Sequence, residues 1–62
     1  MENQVRYYRI MRRLTQDELS ARAGVSKATI SQIETGKRIP GVDIALMLEA
    51  ALRADVHDLF RL

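Results

Sequence analysis

Four side chains in the stretch Lys27 to Glu34, KATISQIE, have types and spacing suited to hydrogen-bonding and contacting the edges of base pairs. On a helix turning about 100° per residue from Lys27, Ser31, Ala28 and Gln32 fall at about 40°, 100° and 140°, and Ile30, Ile33 and Glu34 at about 300°, 240° and 340°. One face is apolar apart from Glu34 at its edge. The other presents a cation, a hydroxyl, a methyl and an amide: Lys donates to guanine, Gln pairs bidentately with adenine, and Ala meets the thymine methyl.

Such a face works only if the helix is held rigidly, and the residues before it supply the means. Thr15-Gln16-Asp17-Glu18 has the spacing of a capping box, the Thr accepting from the Glu18 amide and the Glu18 side chain reaching back to the Thr15 amide. Leu19 and Ala23 then share one face, and Gly24 supplies the left-handed residue that ends a helix. Val25 alone separates that stop from Ser26, a second N-cap, so a new helix is predicted from Lys27. The unit 15–36 is two short helices joined by a tight turn.

Gln16, Leu19, Ser20, Ala23-Gly24-Val25, Ile30, Ile33-Glu34 and Gly36-Lys37 resemble the helix-turn-helix of the Cro/CI-repressor (XRE) family. The resemblance extends from about Val5 to Phe60. It implies an all-α fold, a five-helix lambda-repressor-like DNA-binding domain with a central helix-turn-helix over residues 1–62. The family has compact stand-alone regulators of this length and longer ones in which such a domain precedes another, and the stand-alone form is the expectation here. The third helix would enter the major groove of double-stranded DNA with Lys27, Ala28, Ser31 and Gln32 toward the bases and Thr29 near the backbone. Gln16, at the start of the preceding helix, would donate to a phosphate, and Lys37 and Arg38 would position the backbone from the following loop. The resemblance also implies an ion pair between Arg9 and Glu34, tying the first helix to the third; Arg9 on a phosphate is the competing reading. Arg13 departs from the family, which often has Gly or Asn there.

Sixty-two residues lie near the lower limit for a stable core, and with no Cys neither disulfides nor a thiolate metal site can add to it. Dimerisation is the expected supplement. Family members often pair through their C-terminal helices, which makes Met47, Val56, Phe60 and Leu62 candidates for a homodimer contact, with core packing the alternative for Phe60. The formal charge of +2 is unevenly spread. Eight basic against four acidic residues precede Ile39, and two against four follow, so positive charge collects with the base-reading unit.

Met1 to Arg12 is predicted as a helix with Val5 and Tyr8 inward and Tyr7, Ile10 and Met11 outward; Arg12 and Arg13 are either solvated or near the DNA backbone. Gly36 and Pro40 mark a loop, and Gly41 caps a fourth helix, Val42 to about Arg53, whose Val42, Ala45, Leu46, Leu48 and Leu52 are expected to close the core. Glu49 interrupts that stripe and is expected beside Arg12 or Arg6. Asp55 caps a last turn, Val56 to Phe60, with Asp58 in the box position.

The lone His57 has no carboxylate or thiolate company at ligand spacing, no glycine-rich phosphate loop occurs, and no pocket is expected in so small a bundle. No enzyme, cofactor, metal or small-molecule ligand is called for. No apolar run spans a membrane and the N-terminus is not a signal peptide, so the expected setting is cytoplasmic, in a bacterium, an archaeon or a phage-infected cell. The resulting reading is a sequence-specific transcriptional regulator, expected to repress from a near-palindromic operator. The alternative is an antitoxin or protein-interaction module on the same fold.

Overall fold

The computed structural model describes residues 3–60 and contains five α-helices: α1 (Val5–Met11), α2 (Gln16–Ala23), α3 (Lys27–Glu34), α4 (Val42–Leu52) and α5 (Val56–Phe60). No strand occurs among the described residues. α2 packs on α3 and α4, while α1 reaches α3, α4 and α5, so α1 and α4 hold the helix-turn-helix between them. Helices of seven or eight residues are unstable alone, and each therefore depends on its ends and on the shared core.

The helix starts are built from hydrogen bonds that the sequence specifies. Thr15 Oγ1 accepts from Glu18 N at 3.0 Å and Glu18 Oε1 accepts from Thr15 N at 2.9 Å, which completes the capping box. The Thr15 amide, and after it the Thr15 hydroxyl, holds the Glu18 carboxyl below its usual pKa. Its ionised form is thus favoured by folding, so this cap contributes fully above the ordinary carboxylate range and is lost as pH falls through the lowered value. Ser26 Oγ accepts from Thr29 N at 3.1 Å to start α3.

Before each cap stands an apolar residue that is also buried. Leu14 precedes Thr15 and joins the core with Leu19; Val25 precedes Ser26 and joins it with Ile30. These are the N′ and N4 positions of hydrophobic staples, and they set the angle at which the chain enters each helix.

Two helices end in the same way. After α1, Arg13 N donates to Ile10 O at 2.9 Å and Leu14 N to Arg9 O at 3.1 Å; after α3, Gly36 N donates to Ile33 O at 3.0 Å and Lys37 N to Gln32 O at 2.9 Å. This nested pair requires a left-handed residue, which Gly36 supplies with φ 76° at no steric cost. Arg13 adopts it with φ 56°, as does Arg53 after α4 with φ 52°.

The core combines Val5, Leu19, Ile30, Ile33, Leu48 and Leu52 with Leu59 and Phe60 of α5. Three expectations from the sequence are corrected. α1 starts at Val5 and excludes Asn3 and Gln4, because Asn3 Oδ1 accepts from Val5 N at 3.1 Å while its Nδ2 donates to Ile33 O at 2.7 Å, and Gln4 N donates to Leu59 O at 2.7 Å; Met1 and Glu2 lie outside the described residues. Val42 and Leu46 do not close the core but stand 78% and 53% exposed, since Ala45, Leu48 and Leu52 take the inward face. Glu49 does not meet a cation of α1: its Oε2 accepts from Val56 N at 2.8 Å, and with Asp55 Oδ1, which accepts from His57 N at 2.8 Å, it caps α5. Arg12 instead donates to the carbonyls of Leu52 and Arg53 at 2.9 and 3.2 Å.

Arg13→Gly tests the strained exit from α1. A non-glycine left-handed residue costs about 1–2 kcal/mol, and glycine returns about 0.4–1 kcal/mol of that through the freer unfolded chain. The expected result is a gain of about 0.5–1 kcal/mol, read as a higher urea midpoint at unchanged slope. A lower midpoint would show that the Arg13 side chain stabilises the fold by a contact of its own.

Candidate nucleic-acid interface

α3 is turned by its apolar side. Ile30 and Ile33 are fully buried, which leaves Lys27, Ala28 and Gln32 exposed and Ser31 half-buried on the opposite side. Burial of two isoleucines four-fifths of a turn apart fixes the rotation of the helix about its axis. The outward direction of the polar groups follows from it.

Glu34 fixes the other end. Arg9 Nε and Nη2 donate to its Oε2 and Oε1 at 2.7 and 3.3 Å, and Gln16 Nε2 donates to Oε1 at 3.1 Å. The Glu34 side chain is only 3% exposed, so this carboxylate is removed from water and depends on those partners. Arg9 Nη1 also donates to Leu14 O at 2.8 Å, in the turn into α2. Gln16 therefore spends one amide hydrogen on Glu34 and, being half-buried, keeps a second at the N-terminus of α2.

The flanks carry further order. Lys27 Nζ lies 3.5 Å from Asp17 Oδ2, an exposed pair that tethers the lysine loosely to α2. Thr29 Oγ1 accepts from Ser26 Oγ at 2.8 Å and from Arg38 Nη1 at 3.5 Å, which draws the loop after α3 back toward its first turn. Lys37 and Arg38 are exposed on that loop. The parts played by Asp17 and Asn3 escape a reading by helical periodicity, because each bond crosses between elements.

Of the candidate pairing residues, Phe60 is only 4% exposed and packs in the core, the alternative held open for it. Met47 is exposed, Val56 half-buried, and Leu62 lies outside the described residues. A groove of about 350 Å³ is present instead, lined by Ile39, Pro40, Val42, Ala45 and Leu46 with Val56 and Phe60 at its base. The expectation of no pocket is also corrected, for this groove and for a cavity of about 410 Å³ between the ends of α1, α2 and α4. Short helices packed at their ends leave such gaps. No group of histidines and carboxylates able to hold a metal occurs among the described residues, and no helix is long and apolar enough to cross a membrane.

Two consecutive helices joined by a left-handed glycine, the second rotated to face a polar, partly cationic surface outward, define a helix-turn-helix protein. Residues 5–59 match the helix-turn-helix family. An uncharacterized HTH-type transcriptional regulator of Methanocaldococcus jannaschii is 37% identical over 60 residues, 97% of this chain and 91% of that protein. Two uncharacterized HTH-type transcriptional regulators of Archaeoglobus fulgidus are 32% and 33% identical over 97% of this chain and 84% and 86% of their own lengths. The chain belongs to the XRE-type helix-turn-helix family of DNA-binding transcriptional regulators, with a lambda-repressor-like fold.

Glu34→Ala would leave the Arg9 guanidinium stranded at 13% side-chain exposure. The expected loss is about 3 kcal/mol or more by chemical denaturation, with Arg9→Met/Glu34→Leu together losing much less. Equal losses in the single and double variants would mean that packing, not the unpaired charge, sets the cost.

Proposed function

We propose that the protein binds double-stranded DNA sequence-specifically by laying α3 in the major groove, and that it regulates transcription as a repressor at a near-palindromic operator. The observation that carries this reading is the outer face of α3, where Lys27, Ala28 and Gln32 stand exposed with Ser31 between them while the helix is fixed from behind. Lys27 and Gln32 would supply hydrogen bonds to bases, Ala28 an apolar contact and Ser31 an adaptable hydroxyl. The second amide hydrogen of Gln16, oriented by Glu34, would donate to a phosphate at the N-terminus of α2. Thr29, Lys37 and Arg38 would position the backbone.

A second copy of the chain is the occupant we assign to the apolar groove. Ile39 and Pro40 follow directly on Lys37 and Arg38, so a two-fold contact there would couple the DNA surfaces of two protomers and set the distance between two α3 helices. A chain of 62 residues without cysteine also has few other means of adding burial. The cytoplasmic setting belongs to the same reading.

Selection of bound sequences from a random duplex pool at physiological salt tests the whole proposal. A two-fold symmetric motif is expected; no enrichment by a folded protein would overturn it in favour of a protein-interaction module. Gln32→Ala should lower discrimination at one base pair by about 1–3 kcal/mol, whereas Lys37→Ala should weaken all sequences alike and reduce the salt slope by about one. Equal losses for Gln32→Ala on specific and random DNA would remove that residue from base reading. Leu46→Glu should yield a folded monomer by sedimentation, with helicity retained, and a dimer that persisted would move the interface elsewhere.

A further inference from the structure

We propose that the cavity between the C-terminal ends of α1, α2 and α4 is a site for a small polyphosphate, separate from the DNA surface. Its lining is Arg12, Arg22, Arg53 and Ala51, so three arginines and no acidic residue border an open depression of about 410 Å³. That volume falls within the range of small-ligand sites, roughly 300–1,000 Å³. Guanidinium is the group suited to bidentate binding of phosphate oxygens.

The three arginines are not equally committed. Arg12 is held by the carbonyls of Leu52 and Arg53, and its Cζ lies 5.7 Å from the centre of the Tyr8 ring, so its charge is fixed in place. Arg22 stands four residues after Glu18 and adds a Coulombic attraction to it, the smallest of the influences that lower the Glu18 pKa, while the hydrogen bonds of that carboxylate go to the Thr15 amide in the capping box. No hydrogen bond or ion pair engages the side chain of Arg22 or of Arg53 among the described residues. Arg53 moreover occupies a left-handed backbone position with φ 52°, where glycine would relieve strain, and such a position is a reason to look for a role of the side chain.

Polyphosphate is favoured over a duplex backbone by position. Arg22 lies six residues along α2 from Gln16, about 9 Å down the axis and away from the N-terminus proposed to meet DNA. The helix C-termini gathered here oppose an anion, and Arg12 answers that of α4 through the carbonyls of Leu52 and Arg53, which leaves Arg22 and Arg53 as the side chains that would hold the phosphate oxygens.

The test is titration of inorganic pyrophosphate into the full chain by calorimetry at constant ionic strength, beside the salt dependence of duplex binding. Saturable binding is expected, weakened about tenfold by Arg22→Gln and by Arg53→Gln, the effect of losing one charge-assisted contact. Arg13→Gln removes the same charge from another left-handed residue outside the cavity and should weaken binding by less than about twofold. The duplex salt slope should not change in the Arg22 and Arg53 variants. Absence of saturable binding, equal loss in the Arg13 variant, or a salt slope reduced by about one in either cavity variant would overturn the site. Should Arg53→Gln not fold, Arg22→Gln, on the exposed side of α2, decides alone. The pyrophosphate titration is independent of the α3 reading, which is tested separately by the selected sequence; the salt-slope comparison rests on duplex binding, so a chain that bound pyrophosphate and no duplex would keep this site and overturn that reading alone.

Discussion

The carboxylate of Glu34 is where three helices meet, and the direction of α3 depends on it. Arg9 of α1 and Gln16 of α2 both donate to it, while the remaining reach of Arg9 goes to Leu14 O in the turn between them. A hydrophobic set of equal volume could match this arrangement in stability, because burying charge is costly. It could not match it in direction, since three donors at defined angles allow one placement of the end of α3 where methyl groups allow several. A helix meant to meet a rigid duplex needs that placement.

Much of this was legible beforehand because it is local. A capping box, an N-cap Ser, and glycines at 24 and 36 each act within a few residues, and the structure forms all of them. Leu14 and Val25 were equally legible as staple residues, since each is an apolar residue immediately before a cap; a reading confined to helical faces passes over them because they lie outside helices. The polar face of α3 followed from its periodicity, as only two isoleucines compete to turn inward.

α4 shows where such reasoning stops. Its sequence VDIALMLEAAL is apolar on nearly every side, so periodicity selects no unique inward face, and which residues are covered depends on what the other helices bring. α1, α2 and α5 cover Ala45, Leu48 and Leu52 and leave Val42 and Leu46 in water. The partner of Glu49 is hidden for a related reason. A carboxylate in an apolar stripe suggests a missing cation, yet a half-buried acceptor is equally satisfied by a backbone amide, and the start of α5 offers one. Asn3 bonds to Ile33 O across thirty residues, and nothing local announces that partner.

The groove and the last helix are thereby linked. α5 is five residues long, too short to persist without its tertiary contacts, and it is held by Glu49 and Asp55 at its start and by burial of Leu59 and Phe60. Val56 and Phe60 form the base of the groove whose walls are Ile39, Val42 and Leu46. Whatever covers those walls removes more apolar surface from water and does so only when α5 is in place, so occupation of the groove must stabilise α5 and ordering of α5 must favour occupation. On the dimer reading, pairing and completion of the core are one equilibrium seen from two sides. The loop carrying Lys37 and Arg38 leads directly into Ile39 at the groove's edge, so the same equilibrium would also decide how firmly the phosphate-positioning residues are held.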